Sequence, residues 1–217
     1  MNKKDRVSSL IVNIYFLFTS IVVFIIPFIL IVSASFTSEA VLKTEGYKLI
    51  PSGFSLEAYK YVFRNPEQLL ASYKVTILYS AVATVLGVLI MAMLAYPLSQ
   101  QRYAYKKSIT FVIFFTMLFN GGLIPTYIWI TRYLGLRDSM WVYVFPYLVN
   151  AFHVIVLRTF FQGLPASLVE SAKIDGASEL RIFFRIILPL SKPVIATIAL
   201  LNLLARWNDW NTALIYI

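Results

Sequence analysis

The sequence holds no cysteine and a single histidine, His153. Disulfides and thiolate metal sites are thereby excluded, and one imidazole cannot build a multi-histidine metal site. Charge is scarce as well: Asp, Glu, Lys and Arg make up 13% of the 217 residues, where a soluble domain carries about 25%. No GxxxxGK[ST] segment occurs, so the chain has no phosphate-binding loop of its own for ATP. One histidine without cysteine offers neither a nucleophile–base pair nor a metal cluster, so an enzyme is not expected and no catalytic residue is assigned.

What the sequence has in excess is apolar surface, 59% of its residues, with mean hydropathy +0.76. One small core cannot hide so much, and the natural solvent for it is a lipid bilayer. The net charge of +9 does not point to nucleic acid, because that partner requires Lys and Arg gathered on one folded face. Here they fall in short clusters between apolar runs, as in the loops of membrane proteins.

Four stretches lack Asp, Glu, Lys and Arg: Val7–Ser38, Val75–Gln101, Ser108–Thr131 and Ser139–Leu157. Each is long enough for the roughly 20 apolar residues that cross a hydrocarbon core. A fifth span is expected from near Leu188 to Trp210, with Arg206 and Asp209 at its outer end. The apolar run from Leu10 to Val32 exceeds the about 7–15 residues of a signal-peptide core, so an uncleaved anchor is expected. Basic residues cluster at Lys3, Lys4 and Arg6, at Arg102, Lys106 and Lys107, and from Arg158 to Lys192. These segments share one side if each stretch crosses once, which makes the N-terminus cytoplasmic. Ala40–Tyr73 then forms an external subdomain, with Ser55 placed to cap a short helix. The fold class predicted is all-α, a polytopic transmembrane bundle over residues 1–217 as one domain, with five spans and a chain that ends at Ile217 amid apolar residues.

Within the third stretch, Asn120-Gly121-Gly122 and then Pro125 weaken a helix at successive turns. Such breaks are tolerated in lipid where protein or water satisfies the freed backbone groups, and they frequently line substrate sites. A packing kink that lets helices approach is the other reading. Polar residues within the spans include Asn150, His153 and Asn202, which are expected to face the bundle interior or a wet cavity. Asn150 and His153 are three apart and would share a helix face. Packing and proton relay both remain open for His153.

After the fourth span, Gly163-Leu164-Pro165 leads into Ala166–Ile174, with Pro165 suited to a helix start. Gly176 follows Asp175 where a left-handed residue would end that helix. Ser178 is placed to cap a second helix, Glu179–Leu188, and Pro189 and Pro193 to stop and restart the chain. The spacing Glu170-Ser171-Ala172, three residues, Gly176, nine residues, Ile186-Ile187-Leu188-Pro189 matches E-A-A-x3-G-x9-I-x-L-P. That is the signature loop of ATP-binding-cassette importer permeases, with Ser171 in place of the first alanine. Pro165–Leu190, Gly121–Pro125, Arg158-Thr159-Phe160-Phe161 and Trp207-Asn208-Asp209-Trp210 further resemble the maltose-type carbohydrate-uptake branch and its oligosaccharide subgroup.

The resemblance implies an inner-membrane subunit of a bacterial importer that translocates a carbohydrate, expected to be an oligosaccharide. Its implied partners are a homologous second permease subunit, two ATPase subunits that carry ATP and Mg, and an extracytoplasmic binding protein. Glu170, Ser171, Ala172, Asp175, Gly176, Ile186, Leu188 and Pro189 would form the ATPase-coupling loop, within about residues 163–190. Six spans are usual in that family, so the sixth is expected to be missing here. Asn120, Gly121, Gly122, Tyr127, Asn150, His153, Asn202, Trp207 and Asn208 are candidates for the translocation path, the aromatic ones because their rings stack on sugar faces. An importer for another solute and an ATP-independent secondary transporter are the alternatives. The paired intramembrane charges or inverted repeats that mark the latter are not found.

Overall fold

Apolar runs of 20 residues or more with few breakers satisfy their own backbone groups as helices, and helices are what a computed structural model of the protein contains, describing residues 3–217. The side chains of residues 3–8 and of Ile11 lie outside the described residues, and with them the basic cluster Lys3, Lys4 and Arg6 of the orientation expectation. Backbone contacts divide the chain into two units, Met1–Ser72 and Tyr73–Ile217.

In the first unit, Val12–Ser35 is helical and predominantly apolar, with mean hydropathy 2.8 over its most apolar window. Phe18, Phe24, Phe28 and Ile31 stand exposed along it, as befits a lipid-facing surface. The helix ends where the Thr37 hydroxyl donates back to the Ser33 carbonyl at 2.8 Å. Two short helices follow, Glu39–Glu45 and Glu57–Val62. The Ser55 hydroxyl accepts the Glu57 N–H at 3.1 Å, but from one residue before the N-cap position, which Leu56 takes instead of Ser55. Phe36 packs between the rings of Phe54 and Tyr59, at 5.7 and 5.2 Å.

The second long helix starts at Pro66 rather than near Val75 and ends at Ser99. Proline is well placed in a first helical turn, where its missing N–H costs nothing. In the second unit the core gathers on this helix. Met91, Ala92, Ala95 and Leu98 pack with Val154, Leu157 and Phe161, and with Ile182, Phe183, Ile187 and Ile198. Small residues at such seams let helix backbones approach closely. At Gly87 the approach is closest: an added Cβ would stand 3.0 Å from the Leu148 carbonyl oxygen and 3.2 Å from Asn202 Nδ2.

The remaining spans are broken. Two helices are long and apolar enough to cross a membrane, and five candidates result if each bent pair counts as one span. In the third stretch, Lys106–Leu118 and Leu123–Tyr133 meet at 115°. The break falls at Phe119–Gly122, where Gly122 has φ 83°. Pro125 therefore does not interrupt a helix, as its spacing suggested, but sits in the first turn of the new one. The fourth stretch is not one helix from Ser139 to Leu157: two 3-10 turns, Met140–Tyr143 and Phe145–Tyr147, precede Ala151–Gln162, which runs past Arg158. Pro146 and the Asn150 cap enforce that division. The fifth stretch does not begin at Leu188, because the chain bends by 81° between Leu190 and Lys192, and the span helix is Lys192–Trp207.

Gly87→Val places two branched methyls against the Leu148 backbone, an overpacking that costs about 1–3 kcal/mol. A lowered midpoint of thermal unfolding in detergent is expected, while Val85→Ala on the exposed side of the same helix should leave it unchanged.

Candidate functional site

The loop between the fourth and fifth stretches is assembled from local turn chemistry. Pro165, with ψ 120°, stands immediately before the outer loop helix, Ala166–Ile174. At its far end the Ala177 N–H donates to the Ala172 carbonyl at 2.9 Å and the Gly176 N–H to the Lys173 carbonyl at 3.1 Å. This pair of bonds is the Schellman closure, which needs a left-handed residue, and Gly176 supplies it at φ 76°. Ala172 and Ala177, which the closure brings together, both pack on the edge of the core. Ser178 then accepts the Arg181 N–H at 3.4 Å and starts the inner loop helix.

The inner loop helix runs Glu179–Leu190 through a π turn at Phe183–Ile187. Ile182, Phe183 and Ile187 are buried, while Arg181, Phe184 and Arg185 are exposed. Ile186 and Leu188 are half-buried against the same core. Pro189 does not stop this helix: it stands directly behind the π turn Phe183–Ile187, at the second position of the final segment Leu188–Leu190. The stop is Ser191, which is fully buried and whose N–H reaches both the Ile187 and Leu188 carbonyls, at 3.0 and 3.2 Å.

The two loop helices differ in their relation to the core. The outer helix has no buried residue. Glu170, Ser171, Lys173 and Asp175 are exposed, and Ile174 is 86% exposed. Ile174 is thus held out from the bundle beside a carboxylate and small residues. Lys173 Nζ stands 2.6 Å from Glu179 Oε1, and the Tyr96 hydroxyl donates to Glu179 Oε2 at 2.7 Å. Donation from Lys173 holds the Glu179 carboxyl below the usual carboxylate range, with Tyr96 acting in the same sense and partial burial opposing both. Tyr96 and Glu179 escaped the sequence reading: they are 83 residues apart, and no local pattern signals their meeting.

The path candidates fall in several places. Asn120 accepts the Gly122 N–H at 2.8 Å and so shapes the exposed bend at Gly121 and Gly122. Tyr127 is half-buried and stacks on Tyr216, ring centroids 5.7 Å apart. Asn150 does not share a helix face with His153. It caps the helix, its side-chain oxygen accepting the His153 N–H at 3.2 Å, because an asparagine at that position satisfies an orphan donor. Asn202 is buried beside Gly87, and its Nδ2 has no hydrogen-bond partner among the described residues. Trp207 is exposed, and Asn208 donates to the Leu204 carbonyl at 2.9 Å. Beyond them, Asp209 accepts from Arg206 at 3.0 Å and from the Thr212 hydroxyl at 2.8 Å. The Arg206 guanidinium lies 4.1 Å from the centre of the Tyr147 ring. Among the described residues, no three of His, Cys, Asp and Glu gather into a metal site.

Replacing Gly176 acts through the backbone, since a Cβ there meets nothing within 4 Å. A non-glycine residue in the left-handed region costs about 1–2 kcal/mol, and asparagine tolerates it best. Limited proteolysis of the loop should therefore rank the variants Gly176, Gly176→Asn, Gly176→Val in order of increasing cleavage rate.

Comparison with known proteins follows the same lines. Residues 1–216 match the family model described as binding-protein-dependent transport system inner membrane component. The polygalacturonan/rhamnogalacturonan transport system permease protein YtcP of Bacillus subtilis (strain 168) is 38% identical over 99% of this chain and 74% of its own length. Protein LplC of the same organism is 43% identical over 94% of this chain and 69% of its own length. Among solved structures, a bacterial ABC transporter involved in the import of the acidic polysaccharide alginate matches with TM-score 0.83 and 31% identity, covering 100% of this chain and 76% of that one.

Proposed function

The chain belongs to the family of binding-protein-dependent transport system inner-membrane components, and on that membership we propose that it is the permease subunit of an importer of oligosaccharides, driven through the Glu170–Pro189 loop by separate ATPase subunits. The observation that carries this reading is the contrast between the two loop helices. The outer one, with Glu170 and Ser171 exposed, touches the core through half-buried Val169 and Ala172 and has no buried residue, and the inner one is set into the core. An element that receives a push from a partner must be exposed at one end and anchored at the other. A flexible loop would absorb the displacement, whereas a Schellman corner at Gly176 transmits it.

The substrate class rests on the relatives, whose names speak of polygalacturonan, rhamnogalacturonan and alginate. The nucleotide and its magnesium belong on the ATPase partner, since this chain has no phosphate-binding loop. A second, homologous permease and an extracytoplasmic binding protein complete the assembly. The basic clusters of the sequence support a cytoplasmic N-terminus and loop. In the path, Asn150, His153 and Asn202 supply polar groups, Tyr127 and Trp207 supply faces for sugar rings, and Asn120, Gly121, Gly122 and Asn208 shape the bends beside them.

Glu170→Lys reverses the charge on the docking helix, and Gly176→Asp strains its corner. Both variants should reach the membrane in wild-type amounts and lose uptake of rhamnogalacturonan or galacturonan oligosaccharides in cells. Wild-type uptake by the Glu170→Lys variant would reject the coupling role. Uptake of neither oligosaccharide by the unaltered transporter would reject the substrate class alone.

A further inference from the structure

A displaced helix does nothing unless its movement reaches a span. The outer loop helix touches the core through half-buried Val169 and Ala172, and its polar tie is Lys173, at 2.6 Å from Glu179 Oε1. The other oxygen of that carboxylate takes the Tyr96 hydroxyl at 2.7 Å. Tyr96 lies in the last turn of the long helix Pro66–Ser99, its ring 5.5 Å from that of Phe183. One carboxylate thus joins three elements: the outer loop helix, the inner loop helix that carries it, and the long membrane helix. We propose that Glu179 is a positioning residue through which the outer loop helix and the long helix move as one body, with Lys173 and Tyr96 as its two arms. The proposal rests on the coupling role of the loop given above.

The apolar contacts alone do not provide this. Ile182, Phe183 and Ile187 are buried in a cluster they share with residues of the long helix, but hydrophobic burial is non-directional and fixes no particular pair of polar atoms. A half-exposed ion pair such as Lys173–Glu179, with side chains 46% and 59% exposed, adds little to stability. Its contribution here is direction. Both carboxylate oxygens are engaged by donors from different elements, so relative rotation of either element stretches a charge-assisted bond.

The chain has no cysteine, so two can be introduced for spin labels without removing any. Ser167 on the outer loop helix and Met93 on the long helix are both exposed. The distance between them is measured in the complete transporter, with its ATPase and second permease, nucleotide-free and vanadate-trapped. With Glu179 and Tyr96 intact, the distance should be the same in both states. With Tyr96→Phe or Glu179→Gln it should match the unaltered value without nucleotide and shift on trapping, and Lys173→Met should behave likewise while Lys173→Arg restores the constant distance. A distance already displaced without nucleotide marks a merely structural prop and overturns the proposal. A constant distance in all variants overturns it too, and leaves the loop's coupling role standing if Glu170→Lys is inactive. A Glu170→Lys variant that transports normally removes the lever, and the carboxylate link falls with it.

Discussion

In hydrocarbon a backbone N–H or carbonyl without a partner costs several kcal/mol, since no water is there to take it up. The interruptions of helix in residues 73–217 are arranged around that constraint. Asn120 accepts the Gly122 N–H at the 115° bend, and Asn150 accepts the His153 N–H where the fourth stretch turns helical. Ser139 receives the Trp141 N–H before the 3-10 turns, and Ser178 receives that of Arg181 in the loop. At the 81° bend the work is done by the backbone itself, with the Ser191 N–H shared between two carbonyls. Short polar side chains are thus spent on corners, and the apolar ones are left for lipid and core.

The corners divide the second unit into a tightly packed part and a projecting part. Around Met91, Ala92 and Ala95 the side chains are fully buried, and Gly87 lets the Leu148 backbone come within contact of the long helix. The outer loop helix stands apart from this, held by a Schellman corner, two half-buried side chains and the Lys173–Glu179–Tyr96 link. Rigidity and exposure, which usually exclude each other, coexist there because the corner is set by backbone geometry and not by burial.

The loop was legible in the sequence because its signals are local. Gly176 and Ser178 each act within a few residues of their position and are found in the roles their chemistry implied, while Pro165 stands one residue ahead of the first helical position expected for it. The all-α class was legible for the same reason: apolar runs without charge have few alternatives in lipid. What was not legible lies across the chain. Pro125 and Pro189 read as breakers, yet Pro125 falls in a first turn, where no N–H is required, and Pro189 directly follows a π turn, and only the positions of Gly122 and Ser191 decide where the breaks fall. Asn150 and His153 obey helical spacing, yet the helix begins between them. The meeting of Tyr96 with Glu179, or of Gly87 with Asn202, depends on which helices pack together, and no periodicity encodes that.

The absence of buried residues from Ala166–Ile174 also separates two kinds of damage. A change at Ile182 or Phe183 opens the buried cluster, whereas a change at Glu170 or Ile174, both exposed, leaves that cluster as it is. Loss of a property after substitution on the exposed face of the outer loop helix can therefore be read as a surface effect and not as loosening of the bundle.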